Sequence, residues 1–238
     1  MQGSYSKAIE YYKKTIEIVK QWGDERDLSV SYANLGIVHD KLENHQKAIE
    51  LYKKSLQYII KTGFNQQTGS IYNNLGIVYQ KHGKYDLAIE MLQKSLEVIQ
   101  QLGNKAKMAP IYTNIGNIHL EMGSYEQALE MFRKDMKLSQ EIGANPGIVR
   151  VYIGLAIVHQ NMGEIRQALS FYRKSLEITE RTDDQHSAAN AYFNLGNLYL
   201  GQGEQQQARI HFEKAKALCE MVGDTQNAQK TAQALRLL

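Results

Sequence analysis

The fold is decided by residues 72–99, which read YNNLGIVYQKHGKYDLAIEMLQKSLEVI. Outward from this stretch, the same pattern returns every 40 residues in both directions. A small residue follows a tyrosine by four positions in each copy: Gly36, Gly76, Gly116, Ala156 and Gly196. An alanine follows that residue by twelve positions: Ala48, Ala88, Ala128, Ala168 and Ala208. A fixed period of this size predicts a stack of units that bury their apolar faces against their neighbours.

Each period is predicted to form two helices, because its apolar residues recur at mostly helical spacing. Glycines mark most of the helix ends, where a left-handed cap is favourable, and Glu43 and Asp183 interrupt the two glycine series. Pro110 is expected near a helix start and Pro146 in a linker. The first helices are predicted at 28–41, 68–81, 108–121, 148–161 and 188–201. The second helices are predicted at 4–22, 44–62, 84–102, 124–142, 164–181 and 204–222.

The small residues predict how the two helices of a unit pack. Gly36 and Ala48 fall where these helices are expected to cross, and small side chains there permit close approach of the helix axes. Larger residues such as Tyr32, Tyr52 and Leu56 then fill the space between units.

Composition limits the classes of function. The net charge of +3 is too small to indicate a nucleic acid or an anionic membrane as a partner. Cys219 is the single cysteine, which excludes an intrachain disulfide and suits a reducing compartment. No apolar run is long enough to span a membrane, and the first residues lack the apolar segment of a signal peptide. We therefore expect a cytoplasmic protein.

The sequence contains no motif for catalysis, phosphate binding or metal binding. His39, His119 and His159 share one repeat position, but Tyr79 and Tyr199 occupy the same position in other repeats. Partly buried packing histidines are therefore favoured over metal ligands. We expect no enzyme activity, no metal and no cofactor.

A ladder of lysines also follows the 40-residue period. Glutamates stand four residues before the first four lysines, which is the favourable orientation for an ion pair on a helix. The predicted pairs join Glu10, Glu50, Glu90 and Glu130 to Lys14, Lys54, Lys94 and Lys134. A solvated helix face is therefore favoured over a nucleic-acid or lipid surface.

The repeated motif resembles the tetratricopeptide repeat, here over essentially the whole chain. One copy consists of Tyr72, Leu75, Gly76, Tyr79, Ala88 and Leu92. The long period resembles repeats of Pins/LGN-type spindle-orientation adaptors, bacterial Rap-type peptide receptors and sensor arrays of large bacterial regulators. The resemblance implies an all-α, right-handed superhelical solenoid of antiparallel pairs, about twelve helices over residues 1–238. Its five repeats are 28–62, 68–102, 108–142, 148–181 and 188–222.

In this family the shorter helix lines a concave groove, which implies where a ligand binds. The implied groove residues are Asn34, Asn73, Asn74, Asn114, Asn117, Arg150, Ile153, Phe193, Asn194 and Asn197. An asparagine amide donates and accepts at once, so a ladder of amides suits an extended peptide held by its main chain. The same asparagines belong to the family consensus, so a purely scaffolding role stays open. Charge is scarce, and the lysines and arginines of a carboxylate clamp for chaperone tails are absent.

We expect a protein–protein interaction scaffold that binds a peptide or partner segment in this groove without catalysis. One alternative is a sensor array that belongs to a larger signalling or transcription-regulator protein. A second alternative is a subunit of an enzyme.

The two ends of the chain match incomplete repeats. The helix at 4–22 corresponds to a second helix without its first, and 225–238 corresponds to a closing first helix. Exposed apolar surface on the N-terminal helix is expected to mark a contact. Self-association through these terminal helices, or extension of the chain upstream, is therefore expected.

Overall fold

The computed structural model describes residues 2–63, 66–143 and 145–238. Over these ranges the chain is all-α, with a single-turn 3-10 helix at Ile60–Thr62 and twelve α-helices. The α-helices are α1 Gln2–Trp22, α2 Glu25–Lys41, α3 His45–Ile59, α4 Gln66–Lys81, α5 Tyr85–Gln101, α6 Lys105–Glu121, α7 Tyr125–Ile142, α8 Asn145–Asn161, α9 Ile165–Thr182, α10 Gln185–Gly201, α11 Gln205–Met221 and α12 Thr225–Arg236.

The first helix of each repeat begins two or three residues before its predicted start. N-caps explain the difference at several of these helices, because the Asp24 carboxylate accepts a hydrogen bond from the Asp27 N–H at 3.0 Å. Asn104, Asp184 and Asp224 make the same contact at α6, α10 and α12. The second helices agree with prediction to within about two residues, except that α3 tightens into the 3-10 turn after Ile59.

Both prolines lie within helices, which corrects the placement of Pro146 in a linker. Pro146 is the second residue of α8, where a missing N–H leaves no helical acceptor unpaired. Pro110 is the sixth residue of α6, farther inside the helix than predicted. Because Pro110 has no N–H, the Ala106 carbonyl oxygen four residues earlier lacks its usual helical donor.

Left-handed residues end the helices where the two glycine series predict them. Gly83 has a φ of 70° and Gly203 has a φ of 78°. Glu43 and Asp183, which interrupt the series, adopt the same conformation with φ values of 59° and 53°. The backbone therefore keeps the repeat geometry at these two positions, although an L side chain is strained there.

The close approach of the two helices in a repeat is confirmed. A Cβ added to Gly76 would lie 2.8 Å from Leu92 Cγ and 3.1 Å from the Ala88 carbonyl oxygen. A Cβ added to Gly196 would lie 2.6 Å from the Phe212 ring. The large residue of the second helix therefore occupies the space that glycine leaves on the first helix.

The chain divides into two compact units, Met1–Met122 and Gly123–Leu238. In the first unit, Ile16, Leu28, Tyr32, Leu35 and Leu51 form one core cluster. In the second unit, the core includes Val149, Ile153, Tyr172, Leu195 and Leu198. The prediction of one continuous solenoid over 1–238 stays a prediction. None of the described helices is both long and apolar enough to cross a membrane.

Candidate functional site

A cavity of about 230 Å³ lies between α4, α5 and α6 in the first unit. Three of the predicted groove residues line it, namely Asn73, Asn74 and Asn114. The Asn114 Nδ2 donates a hydrogen bond to the Asn73 Oδ1 at 3.1 Å. This bond uses one half of each amide, so the other half of each remains available to a ligand.

Asn74 also has a structural role. Its side chain hydrogen-bonds to the hydroxyl of Tyr52, which is only 2% exposed. Burial raises the pKa of Tyr52, the Asp40 carboxylate acts in the same direction, and the hydrogen bond to Asn74 opposes both. The Asn74 side chain therefore supplies a hydrogen bond within the scaffold, whereas Asn73 and Asn114 present their amides to the cavity.

Other polar groups in this cavity differ in how much bonding capacity they retain. The Ser95 hydroxyl donates to the Gly69 carbonyl at 2.7 Å, and the Ser70 hydroxyl donates to the Gln66 carbonyl at 3.1 Å. The wall formed by α6 instead includes Ala106, Lys107 and Pro110. The Ala106 carbonyl and the Lys107 ammonium are thus the acceptor and the donor that this wall can offer.

A second cavity, of about 240 Å³, lies between α10, α11 and α12 in the second unit. Phe193 is the predicted groove residue that lines it. The Lys230 Nζ lies 4.8 Å from the centroid of the Phe193 ring, a cation–π contact. Asp224 in the wall already accepts hydrogen bonds from the backbone and side chain of Asn227. Lys230 is therefore the charged group here that is not engaged in capping a helix.

The two cavities occupy the same place in the repeat. Seven positions of their walls correspond at a separation of 120 residues: Gly69 and Ala189, Ser70 and Asn190, Asn73 and Phe193, Ile99 and Cys219, Lys107 and Asn227, Pro110 and Lys230, Ile111 and Thr231. Both lie where two consecutive first helices meet the second helix between them. The same kind of cavity therefore occurs at these two places, with amides in the first and an aromatic ring with an ammonium in the second.

The remaining predicted groove residues lie outside both cavities. Asn194 donates to the carbonyl and side-chain oxygens of Asn190 in its own helix, at 2.9 and 2.7 Å. Ile153 is 5% exposed and packs in the core of the second unit, so it supports the surface from beneath. Arg150 is exposed, and three asparagines are half-buried: Asn34, Asn117 and Asn197.

Lys107, Pro110 and Lys230 line these cavities but are not among the predicted groove residues. Their signal was present in the period, because Lys107 and Asn227 share one repeat position and Pro110 and Lys230 share another. Pro110 and Lys230 stand at the repeat position of the predicted groove residue Arg150, so the prediction included this position in one repeat and omitted it in two others, and Lys107 stands earlier in the helix.

The histidines at the shared repeat position are packing residues. His159 is 8% exposed and stacks on Phe171 with ring centroids 5.4 Å apart. Its Nδ1 lies 2.5 Å from the Glu164 Oε2. Burial lowers the pKa of His39, and Lys47 and Lys13 contribute in the same direction. Over the described ranges, no three His, Cys, Asp or Glu side chains cluster as a metal site would require.

The lysine ladder agrees with prediction at three of its four ion pairs. Glu10–Lys14, Glu90–Lys94 and Glu130–Lys134 are joined at 2.7, 2.7 and 2.6 Å. Glu50 instead pairs with Lys47 at 2.8 Å, and the Lys54 Nζ lies 5.8 Å from the centroid of the Tyr32 ring. The predicted Glu50–Lys54 pair is therefore wrong, because Lys47 is the nearer partner and Tyr32 attracts the Lys54 ammonium.

Paired antiparallel helices with a small residue at each crossing define a helical-repeat protein. The tetratricopeptide repeat family model matches residues 1–59, 67–141 and 147–221, so the chain belongs to this family. No significant relative was found among curated protein sequences.

Several solved structures share the fold. BtubC (BKLC) from P. vanneervenii superposes with a TM-score of 0.76 at 19% identity, covering 92% of each chain. The Rap conjugation gene regulator of plasmid pLS20, solved with the Phr* peptide, has a TM-score of 0.77 at 17% identity. That match covers 92% of this chain and 60% of the regulator. The STAND protein PH0952 from Pyrococcus horikoshii has a tetratricopeptide repeat sensor and matches at 18% identity with a TM-score of 0.72, over 92% of this chain and 33% of its own.

Proposed function

We propose that this chain binds an extended protein segment along its first helices and performs no chemistry on it. The observation that carries this proposal is the recurrence of one cavity at equivalent repeat positions, between α4 and α6 and between α10 and α12. An extended segment offers side chains and main-chain groups at regular intervals, which suits a cavity formed between two consecutive first helices. The Rap regulator solved with the Phr* peptide supports a peptide as the ligand class.

The chemistry of the two cavities indicates what the segment presents. In the first cavity, the amides of Asn73 and Asn114 and the carbonyl of Ala106 match the donors and acceptors of a peptide main chain. In the second cavity, the Phe193 ring and the Lys230 ammonium match an acidic side chain with an apolar stem. The ligand is therefore an extended segment that carries at least one acidic residue.

A phage-displayed library of random linear peptides, selected on the 238-residue chain, tests the proposal. The affinity of a selected peptide is then measured by calorimetry against the double variant Asn73→Ala with Asn114→Ala. We expect a loss of at least about tenfold, because two amides that bond the ligand are removed and tenfold corresponds to about 1.4 kcal/mol.

Asn161→Ala is the control, since it removes the same kind of side chain from the exposed C-terminal end of α8, outside both cavities and outside the predicted groove residues. It is expected to leave the affinity unchanged. Equal binding by the double variant and the parent chain would exclude the first cavity from the binding site. Failure to select any peptide would contradict recognition of extended segments.

A sensor array in a larger protein is the second candidate function. The coverage of the Rap regulator and of the STAND protein supports it, because this chain matches 60% and 33% of those chains. In that case the cavities bind a segment of another domain. The selected peptide distinguishes the two candidates. In a longer chain, a segment of another domain would occupy the cavities and compete with the peptide in cis.

A further inference from the structure

One repeat position on the first helices changes its chemistry along the chain. In the first unit, on α2, α4 and α6, its residues are uncharged: Val30, Ser70 and Pro110. In the second unit, on α8, α10 and α12, its residues are polar and exposed: Arg150, Asn190 and Lys230. These last three residues are called the donor row below. A ligand that lies across the first helices of the second unit meets all three side chains.

Hydrogen-bond donors dominate the donor row. A guanidinium and an ammonium group carry donors only. The Asn190 side-chain oxygen already accepts a hydrogen bond from the Asn194 Nδ2 at 2.7 Å, whereas the amide N–H₂ of Asn190 remains free. In the described part of the chain, no carboxylate pairs with Arg150 or Lys230. The row therefore suits a ligand that presents acceptors and negative charge.

The carboxylates nearest the row are engaged at helix starts. Asp184 accepts from the Ser187 N–H at 3.0 Å where α10 begins, and Asp224 accepts from the Asn227 N–H at 3.1 Å where α12 begins. Lys230 packs over an aromatic ring rather than pairing with Asp224. The positive charge of the row is thus not cancelled by an ion pair within the chain.

An apolar group lies between the two cations. Phe193 stands on α10, three residues after Asn190, and lines the second cavity. Its ring lies against Phe212 with centroids 5.5 Å apart and carries the Lys230 Nζ at 4.8 Å. Contacts on both sides hold the ring in place. A ligand that crosses from α8 to α12 therefore passes an arginine, a fixed aromatic ring and a lysine.

On the basis of the proposed binding of an extended segment, we propose that the part over the second unit carries two acidic side chains six residues apart. One pairs with Arg150 and the other with Lys230, and an apolar side chain between them contacts Phe193. The donor row thereby selects ligands by the spacing of their acidic residues, and not only by their net charge.

The spacing follows from the packing of the first helices. α8 and α10 are in contact, and α10 and α12 both line the second cavity. Packed helices lie about 8–10 Å apart, so two steps from α8 to α12 cover about 16–20 Å. An extended chain covers about 3.3–3.6 Å per residue, which gives roughly five or six residues. Because alternate side chains point to opposite sides, two that face the same helices are an even number of residues apart, which selects six.

The same geometry favours an acidic peptide over a nucleic acid. A nucleic-acid strand carries a negative charge at every phosphate, and its partners match it with closely spaced cations. The donor row instead separates its two cations by a neutral amide and an apolar ring. The ligand is therefore a protein segment with isolated acidic residues.

Four phage-displayed libraries of linear peptides test the spacing. Each library fixes two aspartates either two, four, six or eight residues apart and excludes aspartate and glutamate from its random positions. Selection on the 238-residue chain is expected to enrich the library with the six-residue spacing. Its enriched peptides are expected to carry an apolar residue two or four positions after the first aspartate. Equal enrichment of all libraries, or enrichment of another spacing, overturns the proposal.

Charge reversal tests the pairing, with an enriched peptide titrated by calorimetry. Arg150→Glu and Lys230→Glu are each expected to weaken binding at least about tenfold, because attraction is replaced by repulsion. Changing one aspartate of the peptide to lysine is expected to restore at least about threefold, and each variant is rescued at a different aspartate. Arg209→Glu is the control, since it makes the same charge change at an exposed residue of α11 that lines neither cavity. Circular dichroism verifies that the variants keep their helices.

The outcomes separate this proposal from the proposed function. Equal binding of the peptide by the parent chain and both reversed variants overturns the role of the donor row and leaves the proposed function standing. Peptides obtained from the unbiased library but from none of these four have the same consequence. Failure of every library contradicts both. Displacement of the peptide by a single-stranded oligonucleotide whose binding is lost in Arg150→Glu and Lys230→Glu overturns the acidic peptide as the ligand class.

Discussion

At the scale of single residues, the strained turns offer a clear test. Glu43 has a φ of 59° at a position where Gly83 occupies the next repeat. We expect Glu43→Gly to stabilise the chain by roughly 0.5–1 kcal/mol, because glycine removes the left-handed strain at the cost of some unfolded-state entropy. Urea unfolding measures the change. Gly83→Glu is the matched reverse substitution and should destabilise by a similar amount; equal stability of both variants contradicts the interpretation.

The helix crossings give a second residue-scale prediction. A Cβ at Gly196 would lie 2.6 Å from the Phe212 ring, whereas a Cβ at Gly201 in the same helix meets nothing within 4 Å. Gly196→Ala is therefore expected to cost about 1–3 kcal/mol through overpacking. Gly201→Ala is expected to be neutral or stabilising by up to about 1 kcal/mol, since alanine has the higher helix propensity. Thermal denaturation of both variants checks the contrast.

At the scale of elements, a histidine in the aromatic stack between α10 and α11 makes the stability of this helix pair depend on pH. The His211 ring stacks on Tyr199 with centroids 5.2 Å apart, and its Nδ1 is buried without a hydrogen-bond partner in the described part of the chain. Burial lowers the pKa of His211 below 6.5, and Lys214 acts in the same direction. His211 therefore binds a proton more readily in the unfolded chain than in the folded chain. Its contribution to the free energy of unfolding is fully present above pH 6.5 and is lost as the pH falls towards the pKa of the folded state.

His211→Phe is expected to reduce this loss of stability in acid, because phenylalanine keeps the stack and cannot titrate. Unfolding by urea at several pH values measures it. His186→Gln is the control, since His186 is exposed on α10. An unchanged acid dependence in His211→Phe would show that another group dominates.

The recurrence of the repeat along the chain explains why most of the fold is predictable from the sequence. Each landmark residue repeats its local environment, so Gly76 with Leu92 and Gly196 with Phe212 report the same crossing in different units. The helix starts were less predictable, because caps such as Asp24 and Asn104 depend on one side-chain hydrogen bond rather than on a periodic apolar pattern.

The candidate site was less predictable than the fold. A repeat position states which face a residue is on, but not whether its polar group is already used. Asn74 bonds to Tyr52 and Asn194 bonds to Asn190, whereas Asn73 and Asn114 bond to each other across a cavity. That difference depends on side-chain distances between helices, which the period does not contain.

At the scale of the whole molecule, stability is expected to be local. In repeat proteins each unit contacts only its neighbours, so the effect of a mutation spreads over a short range. Hydrogen exchange of Gly196→Ala should therefore show lost protection in α10, α11 and α12, while amides of α2 to α5 exchange as in the parent chain. Uniform loss of protection over both units contradicts this locality and indicates a single cooperative transition.

The place of the lone thiol has a practical consequence. Cys219 lies in the wall of the second cavity and is 4% exposed, and burial raises its pKa, with Asp224 and Glu220 contributing. Because the thiolate is the reactive form, alkylating reagents should modify this sulfur slowly. A molecule seated in the cavity would slow alkylation further, so labelling kinetics followed by mass spectrometry record how many chains are occupied. Cys219 is thus a natural probe of whether the second cavity is occupied, and no engineered label is needed.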